Sequence, residues 1–174
     1  SSTSLGLTLS AWIQPDEVSG GLDKLIFTTN DDGWDWSMGI SDGVLTVWTG
    51  EQSQESSLQV YPGEWAHVAA VFDPPESRTR LYLNGKVSEF NDLSFDDLSG
   101  FLTIGGDYDG RDFDGRIDDV RVFNRPLSGP EISSLWGNGQ GDLFPSASFS
   151  TTSPNYDSEL IVDLSFNKAI TDFN

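Results

Sequence analysis

The feature that most constrains this chain is the shortness of its apolar runs, each of which ends at a turn residue. Eighteen glycines and eight prolines are spread through the 174 residues. The runs between them alternate apolar with polar residues, which is the period of half-buried β-strands. In the first run the apolar residues on one face are Leu5, Leu7, Leu9, Ala11 and Ile13. This pattern predicts an all-β chain, built as a two-sheet antiparallel sandwich.

Further strands follow the first, separated by clusters of turn residues. Asn84-Gly85 is the strongest hairpin signal, because this dipeptide favours the turn that joins two paired strands. The connections are too short for the helices that parallel strands would need. The further strands are predicted at residues 24–29, 34–40, 44–49, 64–72, 78–83, 101–104 and 116–123.

One short helix is predicted near residue 130. Ser128 can cap it and Glu131 stands three residues later, the spacing of a capping box. Ile132, Leu135 and Trp136 then share one helix face. We expect this helix to seal one end of the sandwich.

A glycine-rich segment, GNGQG at residues 137–141, indicates a linker. The first domain is therefore predicted at 1–141. Two more alternating runs follow, at 147–151 and 160–166, and two strands cannot close a core alone. We interpret residues 142–174 as the linker and truncated start of a second domain; the alternative is that these strands complete the first sandwich.

Charge and composition exclude several function classes. The formal net charge is −19 and the isoelectric point is near 4.1, so the chain repels nucleic acids and anionic lipid surfaces. No apolar stretch is long enough to insert into a membrane. The chain has no cysteine, which excludes disulfides and thiolate metal sites. It begins at Ser1, and we expect it to be part of a longer polypeptide with neighbouring domains.

Four motifs occur together in order: LSAWIQP at residues 9–15, GEWAHVA at 63–69, LYLNG at 81–85 and FDGRIDDVRVFNRPLS at 113–128. As a set they resemble the laminin G-like, concanavalin A-like jelly-roll family of secreted bacterial proteins. The resemblance implies a jelly-roll sandwich, an extracellular or cell-surface location and ligand recognition. The family usually has a strand ahead of the first motif, so one edge strand is expected to be missing. Residues 149–154 and 162–166 resemble the opening strands of a bacterial Ig-like repeat.

Catalytic machinery is not apparent. Glycosidases of related shape carry paired carboxylates on one strand in a Glu-x-Asp-x-x-Glu pattern, and the chain has no such run. A serine–histidine–aspartate triad would have to use His67, the single histidine, for which we expect a structural hydrogen-bonding role. The chain is therefore predicted not to be an enzyme.

Calcium is the predicted cofactor. Residues 107–114 hold four aspartates, and clustered oxygen ligands in a loop suit calcium. The predicted ligands from this loop are Asp107, Asp109 and Asp112. The resemblance adds Asp118, which matches a family position that holds a structural calcium ion. The alternatives are solvated turns for the loop and an arginine pair for Asp118.

Sugar recognition is predicted from exposed aromatic rings, because sugar rings stack on such side chains while amides and carboxylates bind the hydroxyl groups. The predicted ligand-binding residues are Trp34, Trp48, Tyr108, Asn30, Asp31 and Asp32. The sequence thus favours a non-catalytic module that binds a glycan or an extracellular protein. The alternatives are a structural or adhesive spacer and an ancillary domain of a larger glycoside hydrolase.

Overall fold

The computed structural model of the protein describes residues 6–19, 24–30, 36–96, 101–106, 110–139 and 160–164. Within these ranges the chain forms strands, one short 3-10 turn at Pro74–Glu76 and one α-helix, α1 (Gly129–Gly139). The strands are β1 (Leu7–Pro15), β2 (Lys24–Asn30), β3 (Trp36–Ser41), β4 (Val44–Thr49), β5 (Ser53–Gln59), β6 (Ala66–Asp73), β7 (Arg78–Leu83), β8 (Lys86–Phe90), β9 (Phe101–Ile104), β10 (Gly115–Phe123) and β11 (Leu160–Leu164).

The strands form two antiparallel sheets. Sheet A has the order β11-β10-β1-β6-β7-β8, and sheet B has the order β5-β4-β3-β2-β9. The chain crosses between the sheets after β1, β5, β8 and β9, so both sheets contain strands that are far apart in sequence. The predicted all-β jelly-roll sandwich is confirmed.

The core lies between the two sheets and follows the alternation seen in the sequence. Leu9 and Ile13 of β1 are fully buried against apolar residues of sheet B. Trp36 at the start of β3 stacks on Phe72 with ring centroids 5.2 Å apart, and Phe95 meets the same indole edge-on at 5.4 Å. The core therefore contains a large aromatic cluster near one end of the sandwich.

The helix packs on the outer face of sheet A. Ile132 and Leu135 form a second apolar cluster with Val71, Tyr82 and Phe123 of that sheet. This differs from the expected position at one end of the sandwich. The reason is that β6 and β10 also carry apolar residues on their outer faces, and the apolar face of α1 covers them.

The start of α1 uses the predicted capping residues. The Glu131 carboxylate accepts hydrogen bonds from the backbone N–H and the hydroxyl of Ser128, both at 2.7 Å. Arg125 adds a two-pronged ion pair to the same carboxylate, at 2.6 and 3.1 Å. These contacts lower the pKa of Glu131 to about 2, with the arginine hydrogen bond as the largest cause.

Two strands were not predicted, β5 and β8. In β5 the residues are mostly serine, glutamine and glutamate, so only Leu58 marks an apolar face strongly. In β8 most side chains are exposed because it is an edge strand of sheet A. Both strands are stabilised by pairing with a neighbouring strand, β4 for β5 and β7 for β8, rather than by a strong alternation of apolar residues in their own sequence.

The strand β11 comes from the segment that follows the glycine-rich linker. It pairs antiparallel with β10, with Val162 opposite Val122 and Leu164 opposite Val120. This placement agrees with the alternative in which the tail completes the first sandwich. The strand β11 forms the edge of sheet A beside β10. The boundary at residue 141 and the Ig-like repeat stay predictions.

The connections between strands gather at two ends of the sandwich, which we call the Pro15 rim and the Asn30 rim. The Pro15 rim contains residues 15–19, 41–44, 60–65, 84–85, 105–106 and 110–114. The Asn30 rim contains the end of β2, the starts of β3 and β9, and residues 50–52, 74–77 and 91–96.

Candidate functional site

The described residues next to the predicted sites belong to different rims. Asn30, which Asp31 and Asp32 follow in the sequence, ends β2 opposite Phe101 at the Asn30 rim. The segment that contains Asp107 and Asp109 follows β9 at the other end, where Gly105 N–H donates to the carbonyl of Ile26. The five residue-to-residue steps of extended strand from Leu25 to Asn30 span about 17 Å. The described residues that flank the two loops are therefore held apart.

Much of the predicted set lies outside the described residues. These positions are Asp31, Asp32, Trp34, Asp107, Tyr108 and Asp109, together with the side chain of Asn30. Their roles stay predictions. Trp48, Asp112 and Asp118 are described.

Trp48 lies on the outer face of sheet B, opposite the core residues Leu45 and Val47 of the same strand, as the alternation predicted. The prediction that its ring is exposed is wrong, because only 8% of Trp48 is accessible. Its cross-strand neighbours are Ser37 on β3 and Ser53 on β5. Such small neighbours leave room for an indole to lie against the sheet.

The outer face of sheet B around Trp48 is polar but closely packed. Thr28 and Ser37 pair across β2 and β3, and their hydroxyl oxygens are 2.7 Å apart. Both residues are buried, as is Thr46. Alternation alone could not show this, since a polar residue on an outer face is usually solvated.

Asp112 is exposed at the Pro15 rim. Its carboxylate lies over the backbone of Gly106, where a Cβ atom would collide with Oδ1 of Asp112. Nearby, Asp114 accepts a hydrogen bond at its carbonyl from Asp16 N–H, at 2.8 Å. The described part of the acidic loop is thus fixed through its backbone, with the Asp112 carboxylate on the surface.

Asp118 lies on the outer face of sheet A, opposite Trp12. Its Oδ1 accepts a hydrogen bond at 2.7 Å from the N–H of Asp119, which has a positive φ of 51° where β1 and β10 lose register. Asp119 itself forms an ion pair with Arg121 at 2.7 Å. In the described parts of the chain no three acidic or histidine side chains converge to hold a metal. The role of Asp118 as a calcium ligand therefore stays a prediction.

His67 is fully enclosed on the same face of sheet A. Only 1% of it is accessible, and its ring meets Trp12 edge-on at 5.6 Å. Burial, and secondarily the charge of Arg121, lower the pKa of His67 to about 4, so the imidazole is neutral at pH 7. Among the described residues neither ring nitrogen of His67 has a hydrogen-bond partner. Instead the backbone of His67 exchanges two hydrogen bonds with Asn84, each of 2.9 Å.

Two exposed aromatic residues were not predicted. Of the large hydrophobic side chains that the structure describes, Tyr61, Trp65 and Val87 are exposed, and Tyr61 and Trp65 lie together in the connection from β5 to β6. Trp65 is 36% accessible and Tyr61 56%. Trp65 lies in the GEWAHVA motif, which entered the sequence analysis only as part of the family resemblance. The exposure of both rings could have been predicted from the Pro62-Gly63 dipeptide between them, because this dipeptide favours a turn and a turn places its flanking side chains on the surface.

The architecture is that of a lectin-like sandwich of two antiparallel β-sheets. A family model described as the concanavalin A-like lectin/glucanases superfamily matches residues 1–133. The chain therefore belongs to this superfamily, within its laminin G branch. No curated protein matches the sequence.

Solved structures give the same fold. A candidate carbohydrate-binding protein from Bacteroides ovatus is 26% identical, with a TM-score of 0.62 over 75% of this chain and 40% of that one. A heptameric pentraxin from Limulus polyphemus is 20% identical over 76% of this chain and 70% of that one, with a TM-score of 0.60. The receptor-binding domain of a botulinum neurotoxin C/D mosaic is 17% identical over 78% of this chain and 36% of that one, with a TM-score of 0.61. The chain thus spans well under half of the Bacteroides protein, and the two more distant likenesses concern the fold.

In the described residues no helix has the length and apolar character needed to cross a bilayer.

Proposed function

We propose that this chain is a non-catalytic module that binds a glycan and belongs to an extracellular or cell-surface protein. The observation that carries the proposal is membership of the lectin/glucanase superfamily together with 26% identity to a candidate carbohydrate-binding protein. Because fold alone does not determine function, the proposal needs support from the side chains.

The chemistry of the described residues favours binding over catalysis. The single histidine is buried and neutral, so it cannot exchange protons with a bound substrate. Exposed rings and carboxylates occur at the Pro15 rim, and these groups bind sugars by stacking and hydrogen bonding. The net charge of −19 favours a neutral glycan over an anionic one.

Calcium is part of the proposal for the loop at 107–112, where Asp112 presents its carboxylate on the surface. Calcium bound there would neutralise part of the acidic rim and order its oxygen atoms around a sugar. A calcium-binding loop would also raise the melting temperature by mass action.

A glycan array tests the proposal, run with calcium and with a chelator. We expect binding to one group of neutral glycans, stronger with calcium, together with a calcium-dependent rise in melting temperature. The variant Trp34→Ala, Tyr108→Ala tests the two predicted stacking residues that lie outside the described residues, and unchanged binding would remove them from the site. An array without any binding would overturn the proposal.

A structural spacer is the second candidate function. It is favoured by the burial of Trp48, which was one of the predicted stacking residues. A melting temperature that does not change with calcium, together with no binding on the glycan array, would support the spacer.

A further inference from the structure

The turn between β5 and β6 presents aromatic side chains on a fixed backbone. Residues Tyr61 to Glu64 form a turn with Pro62 at its second position and Gly63 at its third, where φ is +76°. These are the preferences of a type II turn, which brings its first and fourth residues within about 7 Å. Tyr61, Glu64 and Trp65 are all exposed, and they lie in this turn or directly after it. A Cβ added at Gly63 would meet nothing within 4 Å, so the space above the turn is open.

Hydrogen bonds from neighbouring strands hold this turn. Gly63 N–H donates to the carbonyl of Pro15 at 2.7 Å, and the side-chain amide of Gln14 donates to the carbonyl of Gly63 at 2.8 Å. Val60 N–H donates to the carbonyl of Gly43 at 2.8 Å. A surface that is already ordered loses little conformational entropy when a ligand binds.

Polar groups continue this surface across sheet A. Ala66 pairs with Ile13, so Trp65 and Gln14 come next in register on β6 and β1. On the other side, Gln14 pairs with Arg116 of β10 and its side-chain oxygen accepts a hydrogen bond from that guanidinium. Adjacent strands are about 4.8 Å apart, so the backbones of Gln14 and Arg116 lie roughly 5 and 10 Å from the backbone of Trp65.

Resting on the proposed function, we propose that Tyr61 and Trp65 form the stacking surface for a neutral pyranose ring. Glu64, Gln14 and Arg116 supply hydrogen bonds to its hydroxyl groups. This assigns the sugar contact to the Pro15 rim and to side chains outside the predicted set. In this arrangement the apolar face of the sugar stacks on the two rings, and its hydroxyl groups lie over Glu64, Gln14 and Arg116.

The test uses the full chain and the best neutral glycan from the array. We expect the double variant Tyr61→Ala, Trp65→Ala to lose about tenfold or more in affinity, measured by calorimetry. The variant Tyr61→Phe, Trp65→Phe keeps both ring faces and should stay within about threefold. Val87→Ala, which removes an exposed apolar group from β8, is the matched control and should bind like the parent. Melting temperatures of all variants verify that they fold.

The outcomes separate the two proposals. Binding by the parent chain that survives the double alanine change overturns the Tyr61–Trp65 surface and leaves glycan binding standing. Loss of binding in both the alanine and phenylalanine variants also overturns the stacking role. A parent chain that binds none of the glycans overturns both proposals.

Discussion

The two rims use aromatic residues in opposite ways. At the Asn30 rim the rings of Trp36, Phe72 and Phe95 lie in the core, and the indole N–H of Trp36 donates to the carbonyl of Asp96 at 3.1 Å. At the Pro15 rim Tyr61 and Trp65 lie on the surface of a turn. The two rims differ in what covers the rings, because residues 93–96 cover the aromatic cluster at the Asn30 rim. Aromatic content in the sequence therefore does not distinguish a core from a binding surface.

The largest expected effect on the free energy of unfolding comes from removing the buried ring of Trp36. Trp36→Ala should lower the free energy of unfolding by about 3–5 kcal/mol, because it leaves a cavity against Phe72 and Phe95. Trp65→Ala should cost under about 1 kcal/mol, as expected for a ring on the surface. Urea denaturation of both variants measures the contrast. Equal losses would show that Trp65 is part of the core.

The second effect concerns His67 on the outer face of sheet A. Its folded-state pKa of about 4 lies below the unfolded value of 6.5, so the unfolded chain takes up the proton first as the pH falls. Stability is therefore fully present above pH 6.5 and decreases by about 3 kcal/mol as the pH falls to 4.

The variant His67→Leu isolates this contribution from the many carboxylates of the chain. We expect its unfolding free energy to change less than that of the parent between pH 6.5 and 4, by about 3 kcal/mol. Parallel pH profiles for the parent and the variant would contradict the burial of a neutral imidazole.

The smallest effect is at the start of α1. The variant Glu131→Gln removes the ion pair with Arg125 and should cost about 1 kcal/mol at pH 7. Because the folded-state pKa of Glu131 is depressed to about 2, this contribution is present above pH 4.5 and is lost as the pH falls towards 2. Thermal melts of the parent and the variant at pH 7 and pH 2 measure it. A difference that persists at pH 2 would contradict the ion pair as its cause.

The sequence predicted the fold better than the site because the two depend on different information. Leu9 and Ile13 alternate with polar residues, and that alternation alone assigns them to the core. The burial of Trp48 depends on neighbours from other strands, which the sequence order does not reveal. The same holds for β8, which follows the predicted Asn84-Gly85 hairpin but is stabilised mainly by pairing with β7.

The most direct test of glycan recognition at the Pro15 rim is NMR spectroscopy of the indole N–H groups during titration with the sugar. The six tryptophans give six signals, and Trp65→Phe assigns the one from the turn. We predict that the sugar shifts the Trp65 signal and leaves the buried Trp36 signal in place. A titration in which Trp65 stays unchanged while another indole moves would contradict the account.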